Sequence, residues 1–167
     1  WVKQLKTGFR ENLFQAYFQP IVDTKTKEVY KYEALIRYIT KEGVEIAPYH
    51  FINVAKKTKL YPNIIKIVIQ DSFKLIKNKN KRVSVNISFD DIANEETTAF
   101  IYEVLEQNQE FTELLEFETL ESEEITDFNE VSKFISEIKK FNCIVGVDDF
   151  GAGYSNFNLL TLLDIDF

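Results

Sequence analysis

The chain has 167 residues, of which 45% are hydrophobic and 28% charged, so it can bury the core of a globular domain and is not disordered. Its net charge of −7 argues against broad binding of DNA or RNA, which requires a basic surface to replace the phosphate counterions. No apolar run is long enough to span a bilayer, and the opening residues lack the apolar region and cleavage site of a signal peptide.

The single cysteine, Cys143, lies in an apolar stretch, where a buried thiol is expected and no disulfide can form within the chain. This agrees with the reducing environment of the cytosol. We therefore expect a cytoplasmic location, either in a soluble protein or in the cytoplasmic portion of a membrane-anchored one.

Short apolar strands alternate with longer amphipathic segments along the chain. The predicted strands cover residues 17–22, 29–38, 82–88, 115–119 and 143–147. One predicted helix begins at Pro48, and a second follows Pro62 and continues through Ile76. Two more cover residues 94–107 and 131–141, and a last one starts within residues 155–163. This alternation is typical of strand–helix units around a largely parallel sheet.

The predicted elements make about five strand–helix units, whereas a complete (β/α)8 barrel has eight and needs about 250 residues. We therefore expect residues 1–167 to form one incomplete domain of the α/β class with a TIM-barrel-like fold. An open barrel leaves unpaired strand edges, so we also expect the chain to aggregate or to pair with a second copy as a homodimer.

Strand alternation places polar side chains from separate strands on a common interior face. Within residues 82–88, Asn86 lies on the face opposite to the valines. The same rule places Glu33 with Arg37, and Glu116 with Glu118. Each glutamate taken alone is also compatible with an ordinary exposed carboxylate on a strand.

Two adjacent aspartates, Asp148 and Asp149, follow the last predicted strand and precede a glycine-rich turn. In a barrel this is the catalytic rim, although both residues are also compatible with capping of the next helix. Carboxylates and one amide, without histidine or cysteine, suit Mg²⁺ or Mn²⁺ rather than zinc. Two such ions can support an in-line displacement at phosphorus, so phosphodiester hydrolysis fits best.

Five sequence blocks in order carry a resemblance to a known family. They are QPIV at residues 19–22, EALIR at 33–37, VNIS at 85–88, FETLES at 117–122 and DDFGAGYS at 148–155. The three letters EAL are uninformative alone, but the ordered set is highly specific, and it covers nearly the whole chain. The sequence resembles the EAL domains of cyclic di-GMP phosphodiesterases, whose fold is a modified TIM barrel with one antiparallel strand.

The resemblance implies a set of functional residues and a reaction that opens cyclic di-GMP to linear diguanylate. The implied ligands of two Mg²⁺ or Mn²⁺ ions are Glu33, Asn86, Glu118, Asp148 and Asp149, with Asp148 shared between the ions. Glu121 is expected to brace the loop after the fifth strand of the family fold, although a solvated helix start is the alternative. Gln19 and Arg37 are expected to contact the dinucleotide, whereas Gln19 alone is also compatible with a strand end before Pro20.

The resemblance also implies residues that this chain does not contain. In the family, a catalytic lysine, a further metal-binding glutamate and a substrate-binding glutamine follow the segment that ends at Phe167. We therefore expect negligible turnover by the 167-residue chain itself. Residues 55–60 differ from the family pattern, which puts the substrate contacts of that segment in question.

Three functions remain open at this point. The first is a phosphodiesterase domain fused to sensory or GGDEF-type domains in its parent protein. The second is a catalytically silent module that binds cyclic di-GMP or another protein. The third is a metal-binding barrel that acts on a different phosphoester.

Overall fold

The structure, a computed structural model, describes residues 1–58, 60–120, 127–148 and 163–167. Within these ranges the strands are β1 Phe14–Val22, β2 Val29–Ile39, β3 Glu45–Ile46, β4 Arg82–Asn86, β5 Leu115–Leu120 and β6 Ile144–Asp148. The α-helices are α1 Val2–Arg10, α2 Ile52–Lys56, α3 Tyr61–Lys79, α4 Phe89–Ile92, α5 Glu95–Gln107 and α6 Phe128–Lys139. Two 3-10 helices span Pro48–His50 and Gln109–Leu114.

The described strands form one mixed sheet in the order β1-β2-β4-β5-β6, with the short β3 beside the end of β2. The long hairpin of β1 and β2 is antiparallel, and β2, β4, β5 and β6 are mutually parallel. The α/β class, the largely parallel sheet and an antiparallel strand in the first hairpin are therefore confirmed, and the short β3 also pairs antiparallel with β2. The sheet is part of a TIM-barrel-like fold.

One face of the sheet packs against the helices and forms the core. Side chains such as Val83, Val85 and Phe117 are almost wholly buried there. Helix α6 covers part of this face with the buried residues Val131, Phe134, Ile135 and Ile138. The spacing of these residues along the sequence predicted the helix. Its first turn is capped by Asp127, whose carboxylate accepts hydrogen bonds from the backbone amides of residues 129 and 130.

The predicted strand 82–88 is too long by two residues. Strand β4 ends at Asn86 because Ser88 is the N-cap of α4. The Ser88 hydroxyl accepts from the amide of Asp91, while the Asp91 carboxylate accepts from the amide of Ser88 at 2.9 Å. This reciprocal capping box was present in the sequence as Ser-Phe-Asp-Asp and is a recognised helix start. Burial raises the pKa of Asp91, and its hydrogen bonds to Ser88 oppose that rise.

The two outer strands of the described sheet carry hydrogen bonds on their outer edges. On β1, the amide of Ala16 donates to the Asp71 carboxylate of α3 at 3.1 Å. Beside β6, the amide of Asp166 donates to the carbonyl of Val145 at 2.8 Å, and the amide of Val147 donates to the carbonyl of Phe167 at 3.0 Å. Pairing with a second copy through bare edges stays a prediction.

Most of the last predicted helix, at residues 155–162, lies outside the described residues. In the ranges that the structure describes, no helix is both long and apolar enough to cross a membrane.

Candidate functional site

A cavity of about 510 Å³ lies at the carboxyl end of the parallel strands. Its lining includes the predicted ligands Glu33, Asn86, Glu118 and Asp148, which come from four different strands. Asn86 and Asp148 are the last residues of β4 and β6. The structure thus brings these side chains to the edge of the sheet where barrel enzymes place their active sites.

The strand register explains why these four positions meet. Asn86 is directly opposite Glu118, and Glu33 is opposite Ser84, which precedes Asn86 by two residues. Asp148 in turn lies two residues beyond the partner of Glu118. The offset is therefore two residues from β2 to β4, none from β4 to β5, and two residues in the same direction from β5 to β6. Strands tilt in a barrel, so an offset of this kind keeps such positions at a common height.

Glu33 and Asn86 touch each other directly. The Asn86 side-chain amide donates from Nδ2 to Oε1 of Glu33 at 3.0 Å. Because Nδ2 makes this hydrogen bond, the amide oxygen Oδ1 is left to bind a hard cation.

Glu118 is held by a lysine that sequence reasoning missed. Lys31 Nζ donates to Oε1 of Glu118 at 2.7 Å and to Oε2 of Glu116 at 2.6 Å. Arg82 Nη1 lies 3.3 Å from the other oxygen of Glu116. We call Lys31, Arg82, Glu116 and Glu118 the interior charge cluster.

The interior charge cluster is largely shielded from solvent. The side chains of Lys31, Glu116 and Glu118 are only 12%, 2% and 9% exposed. Burial on its own lowers the pKa of Lys31, but the hydrogen bonds to the two carboxylates outweigh it and the pKa is raised overall. The signal for this residue was its position two before Glu33, which places it on the same interior face.

The donor types in the cavity fit a magnesium or manganese ion, because they are carboxylate and amide oxygens. Within the described residues, however, no three acidic, histidine or cysteine side chains are gathered as closely as a closed metal site requires. Glu118 makes its hydrogen bond to Lys31, and Glu33 makes its own to Asn86. The donor residues line the same cavity and therefore fit an open metal site rather than a closed one.

The two predicted substrate contacts lie outside this cavity. Gln19 is exposed and pairs in register with Glu33 across the β1–β2 hairpin. Arg37 shares the face of Glu33, donates to the carbonyl of Ile36 at 2.9 Å and lies 6.0 Å from the ring of Tyr17. Neither residue is among the described residues that line the cavity. Asp149 and Glu121 lie outside the described residues.

A further part of the cavity wall comes from the segment after β3, for which the sequence only put the substrate contacts of residues 55–60 in question. Tyr49, Asn53 and Lys56 contribute to this wall, together with Tyr61 at the start of α3. Lys56 Nζ lies 5.5 Å from the centre of the Tyr61 ring, within the range of a cation–π contact. The wall therefore combines aromatic surface with a positive charge.

A largely parallel sheet, with helices outside and oxygen donors at the carboxyl ends of its strands, is the arrangement of a TIM-barrel-like enzyme domain. The family model described as "EAL domain" matches residues 2–167, and the chain belongs to the EAL family. The phosphodiesterases of this family are metal-dependent.

Two relatives and one solved structure illustrate the similarity. The signaling protein YkoW of Bacillus subtilis is 29% identical over 161 residues, which cover 93% of this chain and 20% of YkoW. The cyclic di-GMP phosphodiesterase PdeB of Shewanella oneidensis is 26% identical over 177 residues, covering 100% of this chain and 20% of PdeB. The FimX EAL domain of Pseudomonas aeruginosa, solved with bound c-di-GMP, superposes with a TM-score of 0.86 at 23% identity. That superposition covers 99% of this chain and 69% of the FimX chain, and it supports the fold alone.

The chain spans one fifth of the length of each of these two curated relatives. Their other segments have no counterpart in the 167 residues.

Proposed function

We propose that this chain forms part of a cyclic di-GMP phosphodiesterase that opens the cyclic dinucleotide to linear diguanylate. One observation carries the proposal: oxygen donors from four strands, which the sequence blocks of the family single out, line a common cavity at the carboxyl end of the sheet. The name of the relative PdeB supports the same substrate.

In this proposal Glu33, Asn86, Glu118 and Asp148 hold one Mg²⁺ or Mn²⁺ ion, and Asp148 with Asp149 serves a second. Such ions supply a hydroxide nucleophile and stabilise the oxygens at phosphorus. The protein's own contribution begins with Asn86, whose hydrogen bond fixes the Glu33 carboxylate. A prepositioned carboxylate loses little entropy when it binds an ion.

Arg37 and Gln19 are the proposed contacts to the dinucleotide, and Glu121 is proposed to brace the loop near the ions. The guanidinium of Arg37 has a planar set of donors that matches the geometry of a phosphate. Its side chain lies on the same sheet face as Glu33 and donates a hydrogen bond to the neutral carbonyl of Ile36. A phosphate is a stronger acceptor than that carbonyl, because it is charged.

The setting of the domain is also a proposal. The chain covers one fifth of YkoW and PdeB, which supports fusion to further domains of the sensory or GGDEF type. The buried Cys143 and the lack of any disulfide within the chain support a cytoplasmic location. We also propose that the domain works as a homodimer.

A second candidate is a domain that binds cyclic di-GMP without hydrolysing it. The observation that favours it is the hydrogen bond between Lys31 and Glu118, which neutralises one proposed ligand. In such a receptor the cavity would bind the dinucleotide in the absence of a divalent cation.

Calorimetric titration with cyclic di-GMP separates these candidates. The protein is a polypeptide that carries this chain and the downstream segment in which the family has its lysine and glutamate. We expect binding and Mg²⁺- or Mn²⁺-dependent formation of linear diguanylate, measured by chromatography, and loss of both the metal dependence and turnover in Asp148→Asn. Binding that persists without any turnover would establish the receptor. Equal affinity for unrelated dinucleotides would indicate another phosphoester substrate.

The 167-residue chain by itself is expected to show negligible turnover under the same conditions. Metal-dependent cleavage by this polypeptide would contradict the roles that the family resemblance gives to the downstream residues.

A further inference from the structure

The interior charge cluster includes one proposed metal ligand, Glu118. Glu116 and Glu118 are two residues apart on one strand and share its interior face. Lys31 Nζ lies between them, at 2.6 Å from one carboxylate and 2.7 Å from the other. Two carboxylates so placed repel each other unless a cation separates them.

The division of this lysine between two partners has a chemical consequence for Glu118. Its Oε1 accepts from Lys31, so part of its negative charge is already compensated without a metal ion. Glu116 shares the same ammonium group and is bound on its other oxygen by Arg82. The strength of the hydrogen bond between Lys31 and Glu118 therefore depends on how strongly Glu116 attracts Lys31.

A divalent cation that binds Glu118 must be compatible with this ammonium group. Like charges in a poorly hydrated interior repel strongly, and the repulsion falls as the lysine moves towards another carboxylate. Glu116 offers that alternative partner. When Lys31 moves towards Glu116, Glu118 becomes available to bind an ion.

We infer that Lys31 is a positioning residue that sets the divalent-cation affinity of the cavity through its hydrogen bond to Glu118, with Glu116 as its second anchor. The inference rests on the metal site of the proposed function. It assigns a role to two residues, Lys31 and Glu116, that are not themselves ligands.

Two variants should shift the affinity in opposite directions. In Glu116→Gln, Lys31 keeps its full charge and has Glu118 as its remaining anionic partner in the cluster, so the dissociation constant for Mn²⁺ is expected to rise about tenfold. In the double variant Lys31→Met with Glu116→Gln, the pair is removed without changing the net charge. Glu118 then lacks its competing cation, and the dissociation constant is expected to fall about tenfold below that of the wild type.

The measurement is the free Mn²⁺ signal in electron paramagnetic resonance, recorded during titration of the longer polypeptide that carries this chain and the downstream segment. The matched control is Lys66→Met with Glu96→Gln, which removes a 2.6 Å ion pair outside this cavity. Circular dichroism melts establish that each variant is folded. A merely structural role of the cluster would weaken binding in both variants, so the opposite signs are the diagnostic result.

The possible outcomes distinguish this inference from the proposed function. Opposite shifts, with the control unchanged, support the role of Lys31. Wild-type binding of Mn²⁺ with equal affinities in all variants overturns that role and leaves the phosphodiesterase proposal standing. Absence of Mn²⁺ binding by the wild type overturns the metal site and the inference together. If Glu116→Gln does not fold, the double variant decides alone, because an unchanged or weaker affinity there overturns the inference.

Discussion

The two faces of the same sheet differ sharply in composition. The face that meets the helices carries side chains such as Val85 and Phe117, both at most 1% exposed. The interior face carries Ser84, Glu116 and Glu118, which are also buried although they are polar or charged. Buried apolar area stabilises a fold, whereas buried charge costs free energy unless it is paired. We therefore expect stability to depend mainly on the helix-covered face and ligand binding on the interior face.

The largest expected effect on stability lies at Phe117 on the helix-covered face. Its ring is 1% exposed and packs edge-to-face on Phe134 at a centroid distance of 5.9 Å. Phe117→Ala should lower the free energy of unfolding by about 3–5 kcal/mol, because it removes buried area and leaves a cavity. Urea denaturation measures the change. Tyr30→Ala, at a ring that is 56% exposed on the hairpin, is the control and should stay within about 0.5 kcal/mol.

The reactivity of the Cys143 thiol measures the packing of the same face without any substitution. Burial raises the pKa of Cys143 from 9.0 to about 12. Because the thiolate is the reactive form, its population at pH 8 should be about a thousandfold lower in the folded chain than after unfolding. Alkylation rates with and without denaturant provide the measurement. Rapid labelling of the native chain would show that this face opens far more readily than its packing indicates.

On the interior face, Asn86→Ala should weaken metal binding strongly and change stability little, the opposite of the pattern expected for Phe117→Ala. The exposed amide holds Glu33 and is a proposed ligand, so its loss should weaken Mn²⁺ binding by at least about tenfold. The free energy of unfolding should change by less than about 1 kcal/mol, because no buried apolar group is removed. Calorimetry and urea denaturation of the same preparation compare the two quantities. A loss of stability comparable to that of Phe117→Ala would contradict the division between the faces.

The smallest effect is expected at the cavity wall. Lys56 lines the cavity and lies over the ring of Tyr61, so Lys56→Ala should weaken binding of the anionic dinucleotide by about threefold. The neighbouring Lys57 does not line this cavity among the described residues, and Lys57→Ala is the matched control. Titration at two salt concentrations tests the electrostatic origin, since added salt should reduce the difference. Identical losses in both variants would indicate a general charge effect instead.

Strand alternation and helical spacing predicted most of the fold because both patterns are local. The residues on the buried face of α6 were identified from their spacing alone, and Asn86 was placed on the interior face from its neighbours in β4. Helix α1 was missed, because its fully buried Leu5 is one of few apolar residues in a polar segment. Its stability depends on contacts with distant parts of the chain, such as Trp1 against Phe51.

The candidate site was predictable as a set of residue types but not as a set of contacts. Alternation placed Glu116 and Glu118 on one face, yet the lysine that joins them comes from a strand more than 80 residues earlier. Only the strand order β2-β4-β5 brings that lysine within reach, and a single sequence does not specify this order. The wall formed by Tyr49 and Lys56 was missed for the same reason.

The absence of a side chain at Gly146 makes room for the ring of Phe167. A Cβ atom at this position would lie 2.3 Å from the ring of Phe167, so the aromatic ring occupies the space that a side chain of β6 would otherwise fill. The same ring lies 5.0 Å from Lys31 Nζ. Any larger residue at position 146 therefore requires a smaller one at position 167, and natural relatives should exchange volume between these two positions.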